Sequence, residues 1–382
     1  MSAHAGNLSP GQLPAWIDIG VLPVLNVAMA LIVAGIIVAL IGADPWEAIY
    51  WLVQGAFGSG YAWGYTLYYA TSFIFTGLAV AVAFHAGLFN IGGEGQAYIG
   101  GLGAGLVALA GDSFLPAPVL LPLAVLGAAL FGASWAFIPA CLQAYRGSHI
   151  VITTIMFNFL ASALMVYLMV DVLIEPGQMS AHSREFAETA WLPTMREMLG
   201  LVGIDMADSP LNLSLLWALI CCGLVWVFIW RARLGYEIRA TGLSPSAALY
   251  AGIRPARVTL IAMALSGALA GSVGVNEILG LQHRLLLDFV AGAGFTGIAV
   301  ALMGRNHPFG IVLASLLFGA LYQGGAELAF EIPTITRDMI VTIQGLIILF
   351  SGALAYMNRP WVARLYQYIA TRRSGAGVPA HG

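Results

Sequence analysis

Long apolar runs, separated by short polar or Gly-rich segments, follow one another along the chain from residue 21 to residue 357. A helix needs about 20 predominantly apolar residues to cross the hydrocarbon core of a bilayer, with about 17 as a lower limit. The runs therefore predict an all-α integral membrane protein with about ten transmembrane helices and eight as the low estimate. The ten runs are 21–43, 63–84, 95–111, 117–140, 150–173, 211–230, 259–280, 289–303, 308–330 and 338–357.

Two of these runs are weak candidates for complete crossings. Run 95–111 is short and rich in Gly, and run 289–303 is shorter still. Each is either a short crossing or a half-helix enclosed by protein, because a helix end at membrane depth is tolerated only away from lipid. The prediction therefore includes broken, Gly-rich helices.

The segment between the first two runs has a different pattern. Residues 44–60 carry Trp46, Tyr50 and Trp51 among polar residues. Tryptophan and tyrosine are enriched where a membrane meets water. We therefore predict a short amphipathic helix that lies in the interface.

The composition agrees with lipid as the main solvent. Of 382 residues, 60% are hydrophobic and 9% are charged, against about 25% charged residues in soluble domains. The net charge of −3 gives no reason to expect a nucleic-acid partner. All 15 basic residues are Arg, and without Lys the chain has neither a Walker phosphate-binding loop nor a Schiff-base site. We expect no cofactor in this chain.

The arginines indicate an orientation, because positive residues concentrate on the cytoplasmic side of membrane proteins. The acidic loop 174–210 falls on the outer side of a ten-span arrangement, where Arg284 and Arg337 are single exceptions. We therefore expect a multi-pass protein of the plasma (inner) membrane with both termini in the cytoplasm. The Arg-bearing regions on the cytoplasmic side are Arg146, the loop 231–257, Arg305 and the tail after residue 357.

The same pattern gives the domain organisation. Residues 21–357 form one polytopic transmembrane domain, which includes the outer loop 174–210 and the cytoplasmic loop 231–257. Residues 1–20 are a cytoplasmic N-terminal segment, and residues 358–382 are a cytoplasmic tail that ends in a sequence typical of disorder, RRSGAGVPAHG.

Gly-rich stretches in both halves of the chain carry the candidate chemistry. The first, Phe84–Gln96, holds four Gly together with Asn90, Glu94 and Gln96. Transporters use such breaks to point backbone groups at a substrate, so these three polar residues are candidates for the substrate pathway. The alternative is that Glu94 simply begins the next helix, where the helix dipole favours an acid.

A second Gly-rich stretch, Gly292–Pro308, resembles the first at a corresponding place in the other half of the chain. Such paired interruptions are typical of transporters built from two repeats with the pathway between them. Asn158 lies within the apolar run 150–173 and is the fourth pathway candidate. Its alternative role is a hydrogen bond between helices.

The cytoplasmic loop 231–257 combines arginines with a pattern of small residues. Ser244 and Pro245 predict a short helix over 245–251, because Ser is a favoured N-cap and Pro a favoured first residue. Small residues let such a helix fit a groove of a partner. We interpret the loop as a docking site for a peripheral subunit, with Arg239, Gly242, Ala247, Ala248 and Gly252 as the docking residues.

Several of these segments carry a family resemblance. The chain resembles the permeases of the branched-chain amino acid and simple-sugar superfamily of ABC importers. Within it, the chain is most similar to the nucleoside and simple-sugar branch, which works with a basic-membrane-protein type lipoprotein. One departure is His149, where this branch leads us to expect an acidic residue. The segments that carry the resemblance are GLFNIGGEGQ (87–96), GSHIVITTIMFNFLA (147–161), LGYEIRATGLSPSAALYAGI (234–253), ALSGALAGSVGVNEILG (264–280) and GFTGIAVALMGRNHPFG (294–310).

The resemblance implies a permease subunit of an ATP-binding-cassette importer for a small polar solute, either a nucleoside or purine or a simple sugar. It implies partner ATPase subunits that hold ATP and Mg²⁺ and dock on the loop 231–257. It also implies a second permease subunit and an extracytoplasmic binding lipoprotein.

Two other classes of function remain as alternatives. An ion-coupled secondary transporter or a channel usually has several ionisable residues within its spans, whereas Glu94 has few companions, mainly Glu277 and Glu327. An intramembrane enzyme is less favoured still, because the sequence has neither an HExxH nor a GxSxG motif. We therefore expect a non-catalytic transport subunit.

Overall fold

The computed structural model describes Pro14, Ile17, residues 21–352, residues 360–364 and Tyr366. Most of the predicted N-terminal segment 1–20 and most of the tail 358–382 lie outside the described residues. The α-helices in the described part are α1 (Leu22–Leu40), α2 (Pro45–Phe57), α3 (Gly60–His85), α4 (Gly93–Gly111), α5 (Ala117–Arg146), α6 (Ile150–Tyr167), α7 (Met195–Gly200), α8 (Ser214–Arg231), α9 (Arg233–Leu243), α10 (Pro245–Tyr250), α11 (Pro255–Gly271), α12 (Ala293–Met303), α13 (Pro308–Glu331) and α14 (Arg337–Gly352).

Each of the ten predicted runs coincides with a helix, which confirms the all-α membrane architecture. Within the described residues, six helical stretches are long and apolar enough to cross a membrane. They are Gly60–His85, Ala117–Arg146, Ile150–Val172, Ser214–Arg231, Pro255–Gln282 and Pro308–Glu331. The helices α1, α4, α12 and α14 occupy the remaining four runs. The exact number of crossings is thus less closely defined than the fold class.

The chain divides into two compact units. The first combines Met1–Tyr50 with Leu328–Gly382, and within it α1 packs against α14. In the same unit, Ile17, Leu22 and Ala363 form a small apolar cluster. The second unit, Trp51–Glu327, holds every candidate site residue.

Helix α3 is the central element of the second unit. Every residue from Ala70 to Ala83 is buried, and α11 and α12 pack against this helix. A helix that is apolar on all sides is stable only when other elements surround it. The stretch SFIFTGLAVAVA meets that condition, because its small residues let neighbouring helices approach closely.

Glycines allow α4, α5 and α11 to cross at backbone contact. A Cβ at Gly132 of α5 would collide with the carbonyl oxygen of Gly267 in α11, and a Cβ at Gly267 would collide with that of Gly132. Gly100 of α4 meets Gly271 of α11 in the same way. These contacts are the membrane form of small-residue packing. They hold the three helices together as one closely packed layer.

The two weak runs, 95–111 and 289–303, form helices of different lengths. Helix α4 is a helix of 19 residues, about 28 Å long at 1.5 Å per residue, so run 95–111 is not a half-helix. Helix α12 has only 11 residues and is too short to cross the hydrocarbon core. Most of its residues are buried, as a helix end at membrane depth requires.

The span that contains α11 changes its helical type partway. Helix α11 ends at Gly271, and residues Val275–Gln282 continue as a π-helix. The π-helical part places Glu277 against α3, where the hydroxyls of Tyr68 and Ser72 donate to its carboxylate. A π-helix is rare in proteins and occurs frequently at functional sites.

The loop 231–257 contains more helix than its sequence predicted. Helix α10 agrees with the predicted short helix, and the Ser244 hydroxyl accepts a hydrogen bond from the N–H of Ala247 as an N-cap. Helix α9 was not predicted. Its buried residues Gly235, Ile238 and Thr241 recur every three positions, so a narrow buried face holds a helix that is otherwise polar.

An ion pair holds the outer loop 174–210 against the helix layer. The Arg184 guanidinium donates to both oxygens of Asp112, at 2.7 and 2.9 Å, and to the carbonyl of Leu109 at 3.0 Å. The backbone N–H of Ala187 donates to the same carboxylate at 3.1 Å. Hydrogen bonds from Arg184 lower the pKa of Asp112. The ionised pair therefore stabilises the attachment of the loop.

We expect the variant Arg184→Gln to loosen this attachment at neutral pH. The Asp112 side chain is 2% exposed and that of Arg184 is 46% exposed, so solvent screening limits the loss to about 1 kcal/mol. Hydrogen exchange at the Ala187 amide measures the change as faster exchange. Because the pKa of Asp112 is lowered, the stabilisation is present above the unfolded value of about 3.9 and is lost as the pH falls through the native pKa.

The pair Arg196–Asp208, at 3.4 Å, provides the matched control. Both of its side chains are mostly exposed, so Arg196→Gln should leave exchange in the loop unchanged. Equal effects of the two variants would contradict the role of the Asp112 pair.

Candidate functional site

The two Gly-rich stretches meet at Glu94. Its carboxylate accepts the backbone N–H of Gly292 at 2.9 Å and that of Gly294 at 2.8 Å. These two donors lie at the N-terminus of the short helix α12. A helix N-terminus carries a partial positive charge, which a carboxylate stabilises. Glu94 therefore caps a half-helix from the other half of the chain while lying in the first turn of α4.

The close approach of the two Gly-rich stretches is possible only because glycine has no side chain. A Cβ at Gly294 would collide with the backbone nitrogen of Glu94. Gly292, beside it, has a φ of +83°, a left-handed conformation that Gly adopts at little cost. The glycines of the second stretch are thus needed so that α12 can begin at Glu94.

Asn158 of α6 forms hydrogen bonds with the backbone at the start of α4. Its side-chain oxygen accepts the N–H of Gly95 at 2.9 Å, and its side-chain nitrogen donates to the carbonyl of Ile91 at 3.0 Å. Both partners lie where the chain enters α4. These bonds satisfy both of these backbone groups. Asn158 thus makes the interhelical hydrogen bonds that its position in α6 allowed.

The side chains of Asn90 and Gln96 form hydrogen bonds with each other next to the start of α4. The Asn90 amide nitrogen donates to Gln96 Oε1 and to Ser266 Oγ, both at 2.9 Å. Gln96 returns a bond to Asn90 Oδ1 at 3.1 Å. Both side chains are fully enclosed. The structure therefore places them in a support for the segment before α4, and their predicted role in the pathway stays a prediction.

A cavity of about 240 Å³ opens beside Glu94 and Asn158. Tyr98, Ser162 and Asp288 also line it, and the Tyr98 hydroxyl accepts the N–H of Asp288 at 2.6 Å. The lining thus offers hydroxyl, amide and carboxylate groups, which bind hydroxyl-bearing solutes by hydrogen bonds. Of this lining, the sequence singled out Glu94 and Asn158 but not Tyr98, Ser162 or Asp288. Tyr98 lies four positions after Glu94, on the same face of α4, which is the signal that was available.

We expect Glu94→Gln to impair transport without unfolding the chain. The amide has one acceptor oxygen instead of two, and it loses the charge that the N-terminus of α12 favours. Initial uptake should fall at least about tenfold, which corresponds to about 1.4 kcal/mol. Uptake into vesicles and thermal unfolding of the same preparation measure the two properties separately. Glu188→Gln in the outer loop, which is exposed, is the control, and equal uptake by both variants would contradict the role of Glu94.

The predicted docking residues fall into two groups. Ala247 and Gly252 are exposed, whereas Ala248 is buried and Gly242 packs against the chain itself. A Cβ at Gly242 would collide with the carbonyl oxygen of His85, which lies within the first Gly-rich stretch. Arg239 is partly buried, and its Nε has no hydrogen-bond partner within the described residues.

The exposed face of α9 and α10 is unusually apolar for a loop between spans. Leu243 is 89% exposed and Tyr250 is 96% exposed, with Tyr236 and Leu249 also exposed. Exposed apolar patches mark sites where a protein binds another protein or the membrane. We name Tyr236, Leu243, Leu249 and Tyr250 the docking face. The docking face adds large side chains to the small residues that the sequence had indicated.

The part of the chain that the structure describes contains no group of three His, Cys, Asp or Glu side chains that could hold a metal ion. Comparison with known proteins shows which family the chain belongs to. The family described as "Branched-chain amino acid transport system / permease component" matches residues 62–352. The chain belongs to this family of ABC transporter permeases. It is therefore a multi-pass plasma-membrane protein and a non-catalytic permease subunit of an ABC importer.

Three relatives cover nearly the whole chain. The chain is 35% identical over 371 residues to the glucose ABC transporter permease protein TsgB13 of Haloferax volcanii, which covers 96% of this chain and 94% of the relative. It is 34% identical to the guanosine ABC transporter permease protein NupP of Bacillus subtilis, over 88% and 94% of the two chains. It is 33% identical to the nucleoside ABC transporter permease protein NupB of Lactococcus lactis, over 83% and 85%. No solved structure matches the chain significantly.

Proposed function

We propose that the chain forms the transmembrane pathway for a nucleoside or purine, or for a simple sugar, and that the cavity beside Glu94 is part of that pathway. Glucose, guanosine and nucleosides are the solutes in the names of the three relatives. All are ring compounds that carry hydroxyl groups. The observation that carries the proposal is the convergence of Glu94, Asn158 and the N-terminus of α12 on one polar cavity inside a membrane protein. Discontinuous helices of this kind form the substrate sites of transporters.

The proposal includes an orientation. The loop 231–257 and both termini lie in the cytoplasm, and the loop 174–210 lies outside. The distribution of arginines supports this arrangement. In this arrangement the cavity lies deep in the membrane, because α12 extends from it for about 16 Å to the cytoplasmic turn at Gly304.

The proposal also includes partners. ATPase subunits, which hold ATP and Mg²⁺, bind the docking face on α9 and α10, and Arg239, Gly242, Ala247, Ala248 and Gly252 shape that site. A second permease subunit completes the membrane part, and an extracytoplasmic lipoprotein delivers the solute. The apolar docking face supports the first partner. The family of ABC permeases supports the general composition of the complex.

Reconstitution of the intact complex in vesicles tests the function. Radiolabelled guanosine, uridine, adenine and glucose are supplied with the binding protein, and ATP is enclosed on the cytoplasmic side. We expect ATP-dependent uptake of at least one of these solutes, and competition among solutes of one class. Uptake by the chain alone, driven by an ion gradient, would instead support a secondary transporter. No uptake of any nucleoside, purine or sugar by an active complex would refute the substrate class.

A further inference from the structure

Most hydrogen-bonding groups in the polar cavity are already engaged with the chain itself. Both oxygens of Glu94 accept backbone N–H groups of the second Gly-rich stretch, at 2.9 and 2.8 Å. The side-chain oxygen and nitrogen of Asn158 bind the backbone at the start of α4. These two residues therefore build the wall of the cavity, and the other polar residues in its lining decide which solute binds there.

Asp288 supplies the available carboxylate. It lines the cavity and is exposed, and its carboxylate has no hydrogen bond or ion pair within the described part of the chain. Its charge acts on the Glu94 carboxyl and on the Tyr98 hydroxyl, which both line the same cavity. The Asp288 carboxylate therefore lies at the cavity with both of its oxygens free to accept hydrogen bonds.

Helix α4 holds Asp288 in position. The backbone N–H of Asp288 donates to the Tyr98 hydroxyl at 2.6 Å. The ring of the next residue, Phe289, packs against Tyr98 with 5.1 Å between the ring centroids, and a Cβ at Gly101 would collide with the Phe289 ring. The φ of Asp288 is 57°, a left-handed conformation that Asp and Asn adopt more readily than most residues. The carboxylate is thus presented from a defined backbone position.

The rest of the lining adds hydroxyl groups and no positive charge. The Tyr98 hydroxyl accepts the N–H of Asp288 and keeps its own hydrogen for donation. Ser162 lies one turn after Asn158 on α6 and brings a second hydroxyl. Among the described residues that line the cavity, two are acidic and none is basic. A phosphorylated solute would therefore meet only like charges, whereas a neutral solute with hydroxyl groups finds both donors and acceptors.

We propose that Asp288 selects solutes that carry a vicinal diol, with one hydroxyl donating to each oxygen of its carboxylate. The assignment rests on the proposed role of the cavity as part of the pathway. A carboxylate suits two adjacent donors, because it offers two acceptor oxygens side by side. Ribonucleosides and hexoses both carry such a diol, whereas free purine bases do not. Asp288 therefore narrows the solute to a nucleoside or a sugar and excludes free bases and phosphorylated forms.

Uptake of guanosine and of 2′-deoxyguanosine by the intact complex in vesicles tests this assignment. Initial rates at subsaturating solute give the preference for the diol in the wild type and in Asp288→Asn. Asn also tolerates the left-handed backbone, but its amide has one acceptor oxygen instead of two. We expect the preference for guanosine to fall about tenfold in the variant. Both preparations share one binding protein, so its own preference cancels in the comparison.

Asp205→Asn makes the same change at an exposed position of the outer loop. This control should keep the wild-type preference for guanosine. Thermal unfolding of both variants should match that of the wild type, because Asp288 and Asp205 are both exposed. Glucose and 3-deoxyglucose provide the same comparison for a complex that transports sugars.

Inosine separates the diol from the other pair of adjacent donors that guanosine carries, on the edge of its base. Inosine keeps the ribose diol and lacks the amino group of guanine. If Asp288→Asn changed the preference for guanosine over inosine and left that for guanosine over 2′-deoxyguanosine unaltered, the carboxylate would bind the base and the proposal would be overturned. An unaltered preference for the diol in the variant would overturn it as well.

Free adenine provides the test that separates this assignment from the proposed function. Uptake of adenine as fast as that of guanosine by the wild type would overturn the selection by a diol and leave the pathway for nucleosides and purines intact. Failure of an active complex to take up any nucleoside, purine or sugar would instead refute the proposed function itself.

Discussion

The double variant Leu243→Ser, Tyr250→Ser should abolish ATP-driven uptake while the membrane part stays folded. The two side chains are the most exposed large apolar groups on α9 and α10, and they make little contact with their own chain. Aromatic and aliphatic anchors of an interface cost about 2 kcal/mol or more each when they are truncated. Two such losses lower the affinity for the ATPase by about 10³-fold. Uptake in vesicles and co-purification of the ATPase measure the effect.

Phe114→Ser is the matched control. Phe114 is 71% exposed and lies in the turn between α4 and α5, on the outer side in the proposed orientation. The control should bind the ATPase as the wild type does. If the double variant retained the ATPase and transported normally, the docking face would be assigned wrongly.

The structure separates two substitutions that the sequence alone treats alike. Ala247→Trp changes an exposed position and should weaken ATPase binding without loss of folding. Gly242→Trp places a side chain against the backbone of His85 and Gly87, so it should distort the chain itself. Thermal unfolding distinguishes the two, because only the second variant should lose stability.

The variant Gly132→Leu should fail to fold. Its side chain would enter backbone atoms of Gly267 and Gly271 in α11, which cannot move without separating α5 from α11. Overpacking in cores costs about 1–3 kcal/mol where side chains can adjust, and here the obstacle is the backbone. We expect a loss that exceeds this range and leaves little folded protein. The measurement is the yield of monodisperse protein in size-exclusion chromatography.

Gly223→Leu gives the comparison for this prediction. Gly223 lies within α8, and a Cβ there would meet no atom within 4 Å. The same change of residue in another membrane helix should therefore leave the yield unchanged. Normal yield of Gly132→Leu would show that α5 and α11 do not cross at backbone contact.

Most helices of this fold were predictable from the sequence, because a helix that crosses a membrane needs a continuous run of about 20 apolar residues. Helix α9 was missed because only one narrow face of it is buried, around Gly235 and Ile238. The π-helix at Val275–Gln282 has no sequence signal that distinguishes it from an ordinary helix. Local composition predicts where a helix lies, whereas the packing around it decides its type and its end.

The site was predictable in its parts and not in its assembly. The two Gly-rich stretches and Glu94 stood out as breaks in apolar runs. Their contact joins residues about 200 positions apart, and no local pattern specifies such a pairing. The same holds for Asp112 and Arg184, although an acid directly after α4 and an arginine in an acidic loop are each unusual.

Both the docking face and the proposed route for the solute require α9 and α10 to lie in the cytoplasm. The most direct measurement uses Tyr250→Cys in a chain whose Cys141, Cys221 and Cys222 are replaced by Ser. A membrane-impermeant maleimide is applied to right-side-out and inside-out vesicles. We expect labelling only in inside-out vesicles, and we expect the bound ATPase to protect the cysteine from labelling. Labelling in right-side-out vesicles would contradict the orientation and the docking face together.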